Sequence, residues 1–416
     1  MKTMINRQTP IKIIDRHCGS GKTTAMIDGF SNDNNYLVVV PYKTEIERVI
    51  KQSTKVAFVQ PNEEDNDDRT KRESLRQLLS SGCNVVTSHA LHELILPIVN
   101  EGLLDNYHII IDEVPNVASN EFSLSKRSVE EFYISNGYID VEPITDLIRP
   151  TMKWYDNRDE VKDTLNTKLI RSAEGGCLYL QSNSQFIKAM PRALLVTGLS
   201  TTIMTYKAEG SMLLPYLRKL ELPFVVANDN ELEDVSFKQK AAELITIESF
   251  MPNADFKFTH NEQIQRLKDG CYTTKVSKAL NNLRSRQLKN VPIENVMITC
   301  AKYAWYTNGD KVANKPGPFA KNSNLWGANW LANITRGTNE FAHCSHLIYL
   351  HNKHPNPALT SWLGVGSKHY SDAHALTELI QWVWRSRIRK GEPITLYFAS
   401  KRMRQLFEDW LGVNND

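Results

Sequence analysis

Gly19-Ser-Gly-Lys-Thr-Thr24 carries the first chemistry legible in this 416-residue chain. Glycines at 19 and 21 let backbone N–H groups close on phosphate oxygens, and a helix beginning behind them adds its dipole. Lys22 can reach the β- and γ-phosphates of a triphosphate, and the Thr23 hydroxyl can hold Mg²⁺. Gly19, Ser20, Gly21, Lys22, Thr23 and Thr24 are therefore the candidate cradle. The general pattern places a first glycine where Arg16 stands. A second pair, Asp112-Glu113, ends the apolar run Ile109-Ile-Ile. Asp112 suits Mg²⁺, directly or through a water, and Glu113 suits orienting and deprotonating an attacking water. Late in the chain, Gln381, Arg385 and Arg389 fall at i, i+4 and i+8 of a helical run and share one face, with Arg387 off that stripe. Guanidinium groups facing a phosphate site in another domain stabilise a γ-phosphoryl transition state. A solvated basic helix end would read the same way; the two earlier motifs favour the finger.

Such groups need strand ends gathered on one edge. Apolar β-branched runs at Ile11–Ile14, Tyr36–Val40, Asn84–Thr87, His108–Ile111 and Ala193–Val196 alternate with helical stretches such as Thr44–Lys51. That alternation predicts an α/β fold with a parallel sheet covered on both faces. Ligands of such sheets bind at the carboxyl ends of the strands. Thr197-Gly-Leu-Ser200 is expected to end the fifth strand there. Pro41 and Lys43, with Thr87, Ser88 and His89, offer hydroxyls, a cation and helix N-termini on the same edge, suited to phosphodiester oxygens. Helix capping by Thr44 and Ser88 is the other reading and does not exclude the first.

Residues 115–190 are too many for one crossover and read as an inserted, mainly helical subdomain, with periodic stretches at Ser128–Tyr133 and Val161–Arg171. A polar stretch, Asn228–Asp234, precedes a link near residue 250. A second α/β unit follows, with strands at Val296–Cys300, His346–Leu350 and Ile394–Phe398, and helices at Ser277–Leu288 and Asp372–Lys390. The expected domains are 1–250 and 251–416. The acidic run Glu63–Asp68 reads as a solvated connection.

The length allows two cores of ordinary size. A net charge of +3 provides no global basic field, so contact with a polyanion must come from local patches. Six scattered cysteines without a CxxC pair indicate reduced thiols in a cytoplasmic protein. No run reaches membrane-spanning length, and the amino terminus lacks a signal core. Seven of the eight tryptophans fall between Trp305 and Trp410. Trp382 and Trp384 read as core, whereas Trp326 and Trp330 are the candidates for stacking on bases.

In order along the chain, these residues resemble the superfamily 2 helicases. Gly19–Thr24 matches motif I and Asp112-Glu113 motif II. Pro41-Tyr-Lys43 sits where motif Ia does, Thr87-Ser-His89 near motif Ib, and Thr197–Ser200 resembles motif III. Arg336-Gly-Thr-Asn339 looks like motif V, and Gln381 with Arg385 looks like motif VI. The resemblance implies two RecA-like P-loop NTPase domains with ATP and Mg²⁺ in the cleft between them. It implies Gly337 among the nucleotide-binding residues, Thr338 and Asn339 on the nucleic acid, and movement on a single strand, DNA before RNA. Motif II continues Val-Pro, which fits neither the DEAD-box nor the DEAH-box pattern. Gln8 is the one candidate for an adenine-reading glutamine, and Ile388 occupies the second motif VI arginine position, so Arg387 and Arg389 both stay open. The compact size resembles a bacteriophage- or plasmid-encoded member. A DNA-packaging terminase motor, or an ATP-switched binding or annealing protein, are the alternatives. Oligomeric state is not legible.

Overall fold

The computed structural model describes residues 9–62, 70–165, 167–227, 231–334 and 340–413. Gln8, Glu63–Asp68, Arg336, Gly337, Thr338 and Asn339 lie outside the described residues. Proximity of backbone segments in space divides the chain into two units. One comprises the segment ending at Asp15, Gly21–Ala227 and Pro355–Ser367; Arg16–Ser20 groups with the remainder in the other.

The first unit is built on seven parallel strands: β1 (Ile11–Asp15), β2 (Asn35–Val40), β3 (Phe58–Val59), β4 (Asn84–Ser88), β5 (Tyr107–Asp112), β11 (Ser200–Thr205) and β12 (Phe224–Ala227). Their spatial order is β12-β1-β11-β5-β2-β4-β3. Successive residues of β2 go to opposite faces, and both faces are covered. Leu37 and Val39 join one core cluster with Ile13, Ile109 and Ile203, whereas Val38 and Val40 join another with Phe58 and Val86. That is why these strands read as unbroken apolar runs and not as alternating ones.

Ala193–Val196 is a helical turn, not a strand. Leu194 N–H and Leu195 N–H donate to the carbonyls of Pro191 and Arg192 at 3.0 Å each. A four-residue apolar run carries no period that could separate the two states; the strand falls in the β-branched Ser200–Thr205 run instead. Thr197–Leu199 therefore precedes β11, which Ser200 opens. Leu199 N–H donates to Tyr107 O, at the start of β5, over 2.7 Å, so this turn lies at the sheet edge opposite Asp112. Gly198 sits at φ +81°, and an added Cβ would lie 2.5 Å from that same carbonyl.

The insertion contains more sheet than its periodicity suggested. β6 (Ala118–Ser123), β9 (Leu178–Gln181) and β10 (Gln185–Ala189) form an antiparallel sheet in the order β6-β10-β9, and β7 (Ile139–Val141) pairs with β8 (Ile148–Pro150). The stretch Val161–Arg171 divides into the helices Arg158–Thr164 and Thr167–Glu174 about an extended Leu165. Tyr133, Trp154, Leu169 and Phe186 share its separate core.

One helix of late sequence, Pro357–Leu363, packs in the first unit. Asn356 Oδ1 caps it by accepting from Ala358 N–H at 2.9 Å. Ala358, Leu359, Trp362 and Leu363 enter the same cluster as Ile13 and Ile109. The Trp362 ring lies 4.9 Å from Tyr179 and 6.0 Å from Tyr216, with the Lys219 ammonium 4.9 Å over it.

The second unit is a five-stranded parallel sheet of β13 (Ile245–Ser249), β14 (Val296–Thr299), β15 (Asn329–Trp330), β16 (His346–Tyr349) and β17 (Ile394–Phe398), in the order β13-β17-β16-β14-β15. β13, β15 and the helix Glu231–Leu244 were not foreseen. The helix that carries Gln381 runs Lys368–Val383 and stops there. Arg385 N–H and Ser386 N–H turn back to Trp382 O and Val383 O, each at 3.1 Å, and the Ser386 hydroxyl also donates to Val383 O at 2.7 Å. A serine competing for a backbone carbonyl favours a helix end. Ser386 is extended, and Arg387–Lys390 form a separate 3₁₀ turn. Gln381, Arg385 and Arg389 consequently do not share the face of one continuous helix.

Candidate functional site

Register aligns three neighbouring strand ends of the first unit: Asp15 on β1 pairs with Thr205 on β11, and Met204 on β11 pairs with Asp112 on β5. The loop after β1 leads through Gly19 (φ +83°) and Gly21 (φ +76°) into the helix Lys22–Asp28. Both glycines occupy the left-handed region that side chains avoid, so the turn depends on them. Lys22 and Thr23 open the helix, which places them beside the Asp112 strand end.

The Thr23 hydroxyl donates to Asp112 Oδ2 at 3.2 Å. Asp112 is buried, and desolvation followed by the Glu113 charge pushes its carboxyl up to about 6, against the opposing pull of Lys22 and the Thr23 hydroxyl. A buried carboxylate crowded by a second acid attracts a cation. Mg²⁺ is commonly held by one or two protein oxygens plus substrate phosphates, so Thr23 and Asp112 fit that ion. Glu113 follows at φ +67° and donates its N–H to Met204 O at 3.0 Å. A non-glycine residue held there is strained by about 1–3 kcal/mol, and such strain gathers at functional sites. Ser20 Oγ is buried and makes no hydrogen bond among the described residues. Thr24 is exposed and accepts from Arg48 at 3.3 Å.

Two further residues shape this edge. Asp15 Oδ1 and Oδ2 accept from the N–H groups of Lys207 and Ala208 at 2.7 and 2.9 Å, which fixes the turn after β11. Burial raises the Asp15 pKa, and the Lys207 and Lys22 charges are among the effects that lower it. Thr205 is buried with its hydroxyl unpaired among the described residues. Neither was singled out from the sequence, although Asp15 closes an apolar strand just as Asp112 does.

The expected strand-contact residues divide. Pro41 is half-buried and Lys43 exposed at the start of the helix Lys43–Gln52, where Tyr42 and not Thr44 holds the capping position. Thr87 is only 1 % exposed, so its hydroxyl is closed to a strand. Ser88 caps the following turn through Leu91 N–H at 3.3 Å. His89 Nε2 lies 2.8 Å from the Asp112 carbonyl. A carbonyl only accepts, so this nitrogen carries the proton, and the β4 end is tied to the acidic pair.

In the second unit, Gln381 and Arg385 are buried, and Gln381 Oε1 has no hydrogen-bond partner among the described residues. Arg387 Nε donates to Pro393 O at 2.6 Å, and Arg389 is exposed. Trp382 and Trp384 are core, as their apolar surroundings indicated. Trp326 and Trp330 are not open platforms. Both pack edge-on to Tyr306 at 5.6 Å, and Trp330 Nε1 donates to Cys300 O at 3.1 Å.

Residues 239–411 match the family model of the YonV C-terminal Rossmann-like domain. The chain is 26% identical over 422 residues to the SPbeta prophage-derived protein YonV of Bacillus subtilis (strain 168), covering 96% of this chain and 98% of the relative. Among solved structures, the apo form of XPD aligns over 98% of this chain and 96% of its own, with a TM-score of 0.51 at 13% identity. Xpd4 of S. tokodaii aligns over 98% and 95%, with a TM-score of 0.43 at 13% identity. The XPD likeness concerns the fold, which here is two α/β units built on parallel sheets.

Proposed function

We propose that this chain is an ATP-dependent nucleic-acid translocase or helicase that acts on a single strand, with DNA preferred to RNA. The observation that supports this most is the 3.2 Å contact between Thr23 and Asp112 beside a strained Glu113. That contact supports a reading in which two oxygens would hold Mg²⁺ and the adjacent acid would act on water at one sheet edge. Mg²⁺ there would polarise the terminal phosphate and neutralise developing charge. Gly19, Ser20 and Gly21 would wrap the phosphates, Lys22 would bind the β- and γ-oxygens, and Glu113 would orient the attacking water and take its proton. From the second unit, Arg385 with Arg387 or Arg389 would stabilise the transition state, and Gln381 would contact the nucleotide. Their assignment rests on the family resemblance, because the shared helix face is absent. Lys43, Ser88 and His89 would meet the strand.

The relative's prophage origin supports a phage-encoded role inside a bacterial cytoplasm. ATP turnover measured with single-stranded DNA, single-stranded RNA and duplex tests the reading. Lys22→Ala should abolish turnover, and Glu113→Gln should bind ATP without hydrolysing it. A forked duplex assayed beside it separates unwinding from translocation. Full turnover by Lys22→Ala would remove the site assignment.

A further inference from the structure

We propose that the second unit holds a separate pocket for one nucleotide unit of a nucleic-acid strand, base and phosphate together, with Tyr303 as its stacking surface. The cavity lies between the helix Gly270–Arg286 and the loop 303–322 and has a volume of about 660 Å³. Small-ligand sites commonly span about 300–1,000 Å³, so a nucleotide fits.

Three features of its lining specify that chemistry. Tyr303 is 52% exposed although it is aromatic. Gly309 backs its ring, since a Cβ there would lie 2.9 Å from Cε1. The ring is thus braced on one side and open to solvent elsewhere, as a base-stacking platform requires. Lys278 and Lys321 supply exposed cations, and no lining residue is acidic. The carboxylates nearest in sequence are already committed. Asp269 caps its helix and pairs with Arg266 at 2.8 Å, and Asp310 accepts from Val312 and Ala313 N–H at 2.9 and 3.1 Å. Two unopposed ammonium groups suit a phosphate.

The hydroxyls complete the set. Thr273 donates to Asp269 O at 3.0 Å, Thr307 donates to Pro316 O at 2.8 Å, and Ser277 donates to Lys321 O. With their protons committed to carbonyls, these oxygens can only accept, which suits the N–H edges of a base or a ribose hydroxyl.

The wall is also preformed. Gly317 N–H donates to Trp305 O at 2.7 Å, Phe319 N–H to Ala304 O at 2.8 Å, and Thr307 N–H to Lys315 O at 2.9 Å. A loop pinned in this way loses little freedom on binding. The inference rests on the proposed function only in naming a strand as the natural source of the nucleotide.

The test uses the full chain without ATP. A fluorescein-labelled oligothymidylate is titrated by anisotropy, and an iododeoxyuridine-substituted strand is crosslinked to the wild type by light. Tyr303→Ala should weaken binding roughly tenfold while Tyr303→Phe retains it. Lys278→Gln with Lys321→Gln should weaken binding and flatten its dependence on salt. Crosslinks should map to 303–322. Competition by free thymidine 5′-monophosphate at low concentration would identify a loose nucleotide as the occupant; competition only by strands would identify nucleic acid. Unchanged affinity in Tyr303→Ala, together with crosslinks only elsewhere, overturns the proposal. Should Tyr303→Ala fail to fold, the wild-type crosslink map decides alone. ATP turnover measured in parallel keeps the two proposals apart, since either result can fail without the other.

Discussion

Replacing Asp112 with asparagine should make the ligand-free protein more stable while destroying its chemistry. The carboxyl is buried beside Glu113, and its pKa rises from an ordinary 3.8 to about 6. At 1.36 kcal/mol per pKa unit, ionising it in the folded chain costs about 3 kcal/mol relative to the unfolded chain. That penalty is absent below about pH 4, accumulates as pH rises towards 6, and is constant above. Asparagine keeps the oxygen that accepts from Thr23 and removes the charge. The variant should therefore gain up to about 3 kcal/mol over wild type at pH 7 and almost nothing at pH 4. Denaturant unfolding at a series of pH values reads this directly. With Mg²⁺ and a non-hydrolysable triphosphate at about a hundredfold their dissociation constant, wild type alone should recover about 2.7 kcal/mol. A variant whose advantage is the same at pH 4 and pH 7 would refute the idea of a charge-frustrated site awaiting a cation.

Other substitutions probe the surrounding frame. Asp15→Ala leaves Lys207 N–H and Ala208 N–H without their acceptor and should cost about 2 kcal/mol, read by thermal or urea unfolding. Glu113→Gly should remove backbone strain and add about 1 kcal/mol while ending turnover; a loss of stability would contradict strain at φ +67°. Trp362→Ala should cost about 3–5 kcal/mol, because the ring packs against Tyr179, Tyr216 and Lys219. Gly198→Ala should destabilise by at least about 1 kcal/mol, since both its φ of +81° and the nearby Tyr107 carbonyl oppose a side chain.

The strands of the first sheet were legible where isoleucine-rich runs ended in an acid, as at Ile11–Asp15 and Tyr107–Asp112. The meeting of Thr23 with Asp112 followed, because a parallel sheet puts such ends on one edge. Short runs misled. Ala193–Val196 had apolar content without a period, and local turns from Pro191 and Arg192 decided its state. The helix Lys368–Val383 ends where Arg385 N–H, Ser386 N–H and the Ser386 hydroxyl turn back on it, contacts that periodicity does not register. Aromatic content pointed to Trp326 and Trp330, yet exposure singled out Tyr303; burial depends on neighbours supplied by distant sequence. The left-handed backbone of Glu113 had no sequence signal, because the residue type alone would argue against it.

The return of Pro357–Leu363 to the earlier core makes the two halves of this chain inseparable by a single cut. During synthesis, the sheet bearing Asp15 and Asp112 can form, but its apolar socket stays open until Trp362 has left the ribosome. Completion of the early unit is thereby deferred until most of the late one has been made. A fragment ending near residue 250 would present that socket to water and invite aggregation, whereas adding the peptide 355–367 in trans should restore its solubility.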